Sequence, residues 1–447
     1  MTTIMLSIER GHYFIDEARA SLVYQKSTEN LMKKQLIIVG AGTAGTMMAN
    51  KLHHELDPVM WDITILDRDN QHYYQPGFLF LPFGVYEPKD VVKPKSEFIS
   101  RGINFIIEEV DRIEGEHNFV VLKNGEKLEY DVLVMATGVA PVAEETPGLK
   151  DKLWYTDIFD FYTYDGAMAL REKLENWPGG TMVINLAETQ IKCPVAPLEF
   201  AFLADAYFVE KGMRDKVTIK YVTPLAGAFT KPKATQMLSQ LLAEKNIEVI
   251  PDFYLSHVDN DNKKIVSYEG KEVVFDLLVS VPVNKGDEVV ERSGMGDEDG
   301  LNFVPTDKHT LQSKKYRNVF VIGDTTNLPA SKAGSVAHFE SEILTENILS
   351  FIFGEPLKAK FDGHSNCFIE TGFGKAALID FNYDTEPLPG KFPFAGVGPM
   401  DLLKPTRANH MGKLFFRWVY WHVLLTGKKL PVPTHMSMKG KVVEHLN

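Results

Sequence analysis

Two cysteines and a set of glycine turns are the residues of this chain whose types and spacing suggest chemistry. Cys193 and Cys367 are the only cysteines in 447 residues, too few for a disulfide framework. Neither sits in a CxxC or Cys/His cluster of ligand spacing, so no structural metal is expected. Cys193 stands in "VINLAETQIKCPVAPLEFAFLAD", between an apolar run that reads as a buried strand and a run that reads as a helix. A thiol at a helix N-terminus has its thiolate stabilised by the helix dipole, which predicts a lowered pKa and a competent nucleophile and leaving group. The plain alternative is a pair of unrelated buried thiols, since free cysteine packs as a small hydrophobe.

The glycines come with the elements that must position them. In "KKQLIIVGAGTAGTMMANKLHHEL" a buried strand runs into Gly40, Gly42 and Gly45, with Thr43 and Ala44 inside the turn, and an apolar-faced helix comes next. This is the dinucleotide fingerprint in its full strand-turn-helix context. A second strand, "WDITILD", ends at Asp67, expected on an adenosine ribose, with Arg68 beside it. Two later strands run into glycine turns, "YDVLVMATGVAP" with Ala136, Thr137 and Gly138, and "YRNVFVIGDTTNLPASKAGSVA" with Gly323, Asp324 and Lys332. They resemble the ATG and GD motifs of two-dinucleotide flavoproteins, which implies FAD with Asp324 on its ribityl chain or pyrophosphate. A helix starting near Ser331 would turn its positive end toward the isoalloxazine. Gln75, in "YYQPGF", is expected to line the flavin.

Between the ATG and GD segments lies a second strand-turn-helix unit whose turn has lost its glycines. Glu188, Thr189, Gln190, Ile191, Lys192 and Cys193 occupy the place of a phosphate loop, and the next strand ends at Thr223 with no acid for a ribose. The unit keeps a Rossmann-like architecture without a nicotinamide site, so the flavin must be reduced by something else. Near the C-terminus, "HMGKLFFRWVYWHVLLTGKKL" puts Leu414, Trp418, Trp421 and Leu425 at helical spacing, with Phe415, Val419 and His422 adjoining and Arg417, Lys428 and Lys429 on the polar side. That pattern predicts an interfacial, monotopic helix, with an aromatic core helix as the plain alternative.

The fold class expected is α/β, with two Rossmann-like domains of disulfide-reductase type and a C-terminal membrane-associating helical segment. Residues 1–31 are expected to form a loosely ordered extension, 32–150 and 285–350 to bind FAD, 151–284 to carry Cys193, and 351–447 to carry Cys367 and the amphipathic helices. A net charge of −12 argues against nucleic acid as a partner. No run reaches the ~20 apolar residues of a spanning helix, and the N-terminus lacks a signal-peptide layout. The expected location is therefore the cytoplasmic side of the cell membrane, as a peripheral protein, with a homo-oligomer among the assemblies open to it.

Both cysteines lie in longer stretches, "IKCPVAPLEFAFLADAYF" and "FDGHSNCFIETGFGKAALIDFNYDTEPLPGKFPF", which with "GDTTNLPASKAGSVA" and "YYQPGF" resemble the sulfide:quinone oxidoreductases, in the branch that includes the mitochondrial enzymes. The resemblance implies that Cys193 and Cys367 form the redox pair beside FAD, as a disulfide or a sulfur-bridged pair, and that Glu199 is the acid/base carboxylate. It implies hydrogen sulfide as the reductant, sulfane sulfur or polysulfide as the product, and a membrane quinone, ubiquinone or menaquinone, as the electron acceptor at Lys413 and Phe416. The bacterial third cysteine has no counterpart in "LWYTDIFDFYTYDGA", which excludes a thioether to flavin from that loop. The alternatives are a flavocytochrome c sulfide dehydrogenase-like flavoprotein and a type II NADH:quinone oxidoreductase, the latter requiring a second glycine fingerprint.

Overall fold

A computed structural model describes residues 4–7, 12–15, 33–393 and 398–443. The expectation for residues 1–31 lies outside these, apart from an antiparallel pairing of Ile4–Ser7 with His12–Ile15.

In chain order, the elements that build the site are β1 (Lys34–Val39), α1 (Thr43–Glu55), β2 (Trp61–Asp67), β3 (Asn104–Ile107), β4 (Val132–Met135), β5 (Ile158–Phe159), β6 (Gly180–Leu186) and α2 (Ala196–Glu210). They continue with β7 (Val217–Val222), β8 (Ile247–Ile250), β9 (Leu277–Val281), β10 (Val319–Val321), α3 (Gly334–Ile352), β11 (Ser365–Gly372), β12 (Lys375–Phe381) and α4 (Arg407–Val419). Two five-stranded parallel sheets result, ordered β10-β4-β1-β2-β3 and β5-β9-β6-β7-β8. Their central strands are buried along most of their length, as in Leu36–Val39 and Met182–Leu186. Parallel strands covered on both faces favour such unbroken apolar runs over alternation.

The chain leaves the first sheet after β4 and returns to it at β10. The two passages, Val139–Val142 and Val283–Gly286, pair antiparallel with each other, so one ladder of backbone hydrogen bonds ties the exit to the return. Beyond α3 the chain forms the antiparallel hairpin β11–β12, in which Cys367 lies opposite Ile379. This hairpin brings Cys367 against α2, the helix that comes after Cys193. One hydrophobic core spans both cysteines, α2, the hairpin and the end of the C-terminal helix.

Three local details differ from the sequence reading. α3 begins at Gly334, not near Ser331, because Lys332 is held extended by a parallel bridge to Lys192. Cys193 stands three residues ahead of α2, at φ +48°. The apolar stripe of α4 is also rotated from the expected one. Met411, Phe415 and Trp418 face outward at 62%, 59% and 51% exposure, whereas Trp421 and Leu425 are buried. The cause is a π-turn over Tyr420–Leu424, which re-aims the residues after Val419 into the core. No helix among the described residues is long and apolar enough to cross a membrane.

Candidate active site

The glycine turns, the Cys193 loop, and Lys413 and Tyr420 of the C-terminal helix surround one cavity of about 370 Å³. β1 carries the chain into Gly40, whose φ is +100° and whose absent Cβ would lie 2.4 Å from the Ala136 carbonyl oxygen. A Cβ at Gly45 would lie 1.8 Å from the Gly40 carbonyl oxygen, so α1 packs against its own turn. Gly42, in contrast, has open space where a side chain would be, caps α1 with no side-chain partner and lines the cavity. Ala196 at the start of α2 and Gly334 at the start of α3 line it too, and neither helix has a side-chain cap. The N-termini of α1 and α3, whose first-turn amides have no side-chain acceptor, favour an anionic or electron-accepting occupant, whereas at α2 the Ala196 amide is taken by the Cys193 carbonyl and Pro197 has no amide hydrogen.

Thr43, Ala44, Asp67, Arg68, Gln75, Ala136, Thr137, Gly138, Gly323, Asp324 and Lys332 all line this cavity, as do Cys193, Glu199 and Lys413. Gly45, Cys367 and Phe416 do not. The turns brace one another, since the Gly138 amide donates to Thr325 Oγ1 at 2.8 Å and the Gly323 amide to Glu340 Oε2 at 2.7 Å. Burial pushes the Glu340 carboxyl up to about 7. Asp324 is raised by burial, opposed by Lys332 and Lys192. Asp67 lies at the end of β2, with its oxygens engaged by the Ala41 amide at 2.7 Å and by Lys95 Nζ at 2.7 Å.

Around Cys193 the backbone is fixed in the left-handed region, which costs a residue with a Cβ of order 1–3 kcal/mol. Its amide donates to the Lys332 carbonyl at 2.7 Å, and its own carbonyl accepts from the Ala196 amide at 2.9 Å and from Tyr162 Oη at 3.1 Å. The lowered pKa expected of Cys193 is not what the site produces: burial first, then the Glu199 carboxylate, push it up to about 12. With the thiol ahead of the helix and desolvated, the dipole does not prevail. Cys367 is raised further by burial, with Cys193 and Glu199 adding to it. Both are free thiols, and no bond joins them.

Glu199 is buried on α2, where it accepts from the Glu370 amide at 2.7 Å and from Lys413 Nζ of α4. Burial raises its carboxyl above the ordinary carboxylate range, although Lys413 pulls the other way. Burial works against the Lys413 ammonium, but Glu199, Glu370 and Cys193 outweigh it and raise that group. The carboxylate expected at the sulfur and the lysine expected at the quinone are thus one buried ion pair. Phe416 packs against the core three positions further along α4.

A family model described as pyridine nucleotide-disulphide oxidoreductase matches residues 34–340. The chain is also similar to the mitochondrial sulfide:quinone oxidoreductase of Dictyostelium discoideum, 30% identical with 90% of this chain and 88% of the relative covered. It belongs to the sulfide:quinone oxidoreductases of that family. The mitochondrial sulfide:quinone oxidoreductase of Mus musculus is 27% identical, with 88% of this chain and 86% of that one covered. In fold, the chain is similar to the solved sulfide:quinone oxidoreductase of Aquifex aeolicus, with a TM-score of 0.74 at 22% identity, covering 88% and 92% of the two chains. Two parallel sheets of disulfide-reductase type are therefore its shared architecture, and it is a homologue within a group of FAD-dependent oxidoreductases.

In this sulfide:quinone oxidoreductase homologue, several cavity residues were not legible as site residues. Lys95 reaches Asp67 from the short helical turn Lys95–Glu97, which the sequence reading did not single out. Lys192 Nζ donates to Gln75 Oε1 at 2.8 Å. Tyr420 Oη lies 2.6 Å from Thr43 Oγ1 and 2.7 Å from His72 Nε2, so the end of the C-terminal helix touches the first glycine turn. Burial drives His72 down to about 3, which keeps it neutral.

Proposed function

We propose that the protein oxidises hydrogen sulfide at Cys193 and Cys367, binds FAD in the central cavity, and passes two electrons to a membrane quinone. The observation that carries this reading is one cavity lined by the glycine turns, Cys193, Glu199 and Lys413 together. The uncapped N-termini of α1 and α3 suit a pyrophosphate and a ring that gains negative charge. Residues 32–150 and 285–350 would hold FAD, through Gly40, Gly42, Thr43, Arg68, Thr137, Gly138, Gly323, Asp324 and Lys332. When bound, FAD accepts an electron pair from sulfur and releases it to quinone.

In the oxidised state the two cysteines are bridged. Hydrosulfide attacks one sulfur, the bridge breaks, and one cysteine becomes a persulfide while the other leaves as thiolate. A thiol or sulfite acceptor takes the outer sulfur, and re-forming the bridge gives up two electrons and the remaining thiol proton. Glu199 is poised to hold that proton, because desolvation has already raised its carboxyl. Thiols as weakly acidic as these also favour giving up proton and electrons together with bridge formation.

For the quinone end, the outward stripe of Met411, Phe415 and Trp418 supports a monotopic contact with the bilayer surface. Arg417 does not interrupt it, since its guanidinium turns inward to Asp90 at 2.8 Å and lies 4.4 Å from the Tyr86 ring centre. Anaerobic absorbance tests the whole reading: sulfide should bleach the flavin and decylubiquinone should restore it, and Cys193→Ala or Cys367→Ala should lose the first step. Normal bleaching in either variant would refute the cysteine assignment, and bleaching by NADH alone would favour the nicotinamide-dependent relatives.

A further inference from the structure

Behind the Glu199–Lys413 pair stands a second buried acid. Glu370 is on β11, fully buried, and both its oxygens lie 3.0 Å from His410 Nδ1 on the first turn of α4. The His410 side chain is 21% exposed. The Glu370 amide donates to Glu199 Oε1 at 2.7 Å, so the two acids are coupled through one residue. Lys413 is stabilised by the charge of both. Tyr86, from the loop packed against α4, and Arg417 complete the charged and titratable surroundings, together with Cys193 and Cys367 beyond Glu199. Lys413 pairs with the Glu199 carboxylate, and His410 is the side chain set against the Glu370 carboxylate. A buried carboxylate without such a partner is strongly disfavoured.

We propose that His410 and Glu370 form a proton inlet from the protein surface to the Lys413–Glu199 pair, serving quinone reduction. The inference rests on the functional reading above. Proton balance requires such a supply. Hydrosulfide that loses two electrons to become sulfane sulfur releases one proton, whereas quinone that gains two electrons takes up two. Each turnover therefore consumes one proton from the medium in addition to the one freed at sulfur. Glu199 receives the inner proton from the cysteine side. His410 receives the outer one from solvent and donates it to Glu370, and Lys413, paired with Glu199 and within the field of Glu370, delivers both toward the quinone. The route starts on the half-buried side of α4, next to the outward apolar stripe at Met411, so its mouth lies at the edge of the lipid-facing surface.

The test uses the FAD-loaded enzyme in weak buffer with a pH-indicator dye, recording flavin bleaching by sulfide and reoxidation by decylubiquinone in separate mixing steps. Glu370→Gln preserves shape, and His410→Ala opens the position to added imidazole. Both should bleach within about twofold of the parent. Both should reoxidise at least ~10-fold more slowly, the low end of what a positioned acid or base contributes. Dye-detected proton uptake should slow in step, and imidazole should restore both in His410→Ala alone. Reoxidation and proton uptake at the parental rate in both variants, or a slowing that imidazole leaves unchanged in His410→Ala, would overturn the inlet. A parent enzyme that sulfide fails to bleach would instead refute the functional reading on which it rests.

Discussion

Cys193 shows how far a single residue's chemistry depends on its surroundings. Its thiol is pushed up to about 12 chiefly by burial and then by Glu199, while Lys413 acts in the opposite sense. Removing the carboxylate charge should therefore favour the thiolate. In the reduced protein, alkylation of Cys193 by iodoacetamide is expected to be slow at pH 8 and to rise with pH toward 12. Glu199→Gln should speed it at pH 8 by several-fold, since each pKa unit is worth about a factor of ten in thiolate fraction. Mass-spectrometric labelling rates across pH check this, and an unchanged rate in Glu199→Gln would remove the carboxylate from the thiol's surroundings.

At the scale of elements, the β11–β12 hairpin and α4 carry the burden of position. Asp380 on β12 is buried with His364 at 2.8 Å and with Lys441 of the C-terminal tail. Burial works to raise its carboxyl, but His364 and Lys441 hold it below the ordinary carboxylate value. A carboxyl depressed in the folded state contributes stability at pH above its unfolded value, and that contribution disappears as pH falls through the folded value. The stability lost on Lys441→Met should be about 3–5 kcal/mol at pH 7, as for other broken buried pairs. Urea unfolding should show the difference between parent and variant shrinking below about pH 4, where the unfolded carboxyl protonates.

The tryptophans of the C-terminal helix divide in the same way between surface and core. Trp418 is 51% exposed, whereas Trp421 is buried and stacked on Phe98 at 4.9 Å. Trp418→Ser should lower co-sedimentation with liposomes while leaving the thermal midpoint within a few degrees. Trp421→Ala should instead cost ~3–5 kcal/mol of stability, as expected for truncating a buried aromatic. Equal loss of lipid binding from the two variants, corrected for folded fraction, would contradict this division of the helix.

Across the whole molecule, the site is assembled from three distant parts of the chain: the first glycine turn, the Cys193 loop with α2, and the hairpin with α4. Their meeting is recorded in contacts such as Glu199 with Lys413, 214 positions apart, and Thr43 with Tyr420, 377 positions apart. The glycine turns were legible in advance because the φ of +100° at Gly40 and the approach of Gly45 to the Gly40 carbonyl are demands of the turn itself. The stripe of α4 was not, since helical periodicity assumed 3.6 residues per turn and the π-turn after Val419 shifts the phase. The pairing of Glu199 with Lys413, the insertion of Glu370 and His410 behind it, and the raised thiols were equally hidden, as none is a property of spacing.

By itself, then, the sequence determined the features that depend on neighbours along the chain: strands running into glycine turns, a strand-turn-helix unit whose turn can no longer cradle a phosphate, and two thiols each set in a motif of its own. Only the tertiary structure decided which charges meet, which face of α4 looks outward, and that Cys193 is a weak acid rather than a strong one. The physical reason is that desolvation and Coulomb energies depend on distance through space, and here the groups that matter most to one another lie hundreds of residues apart.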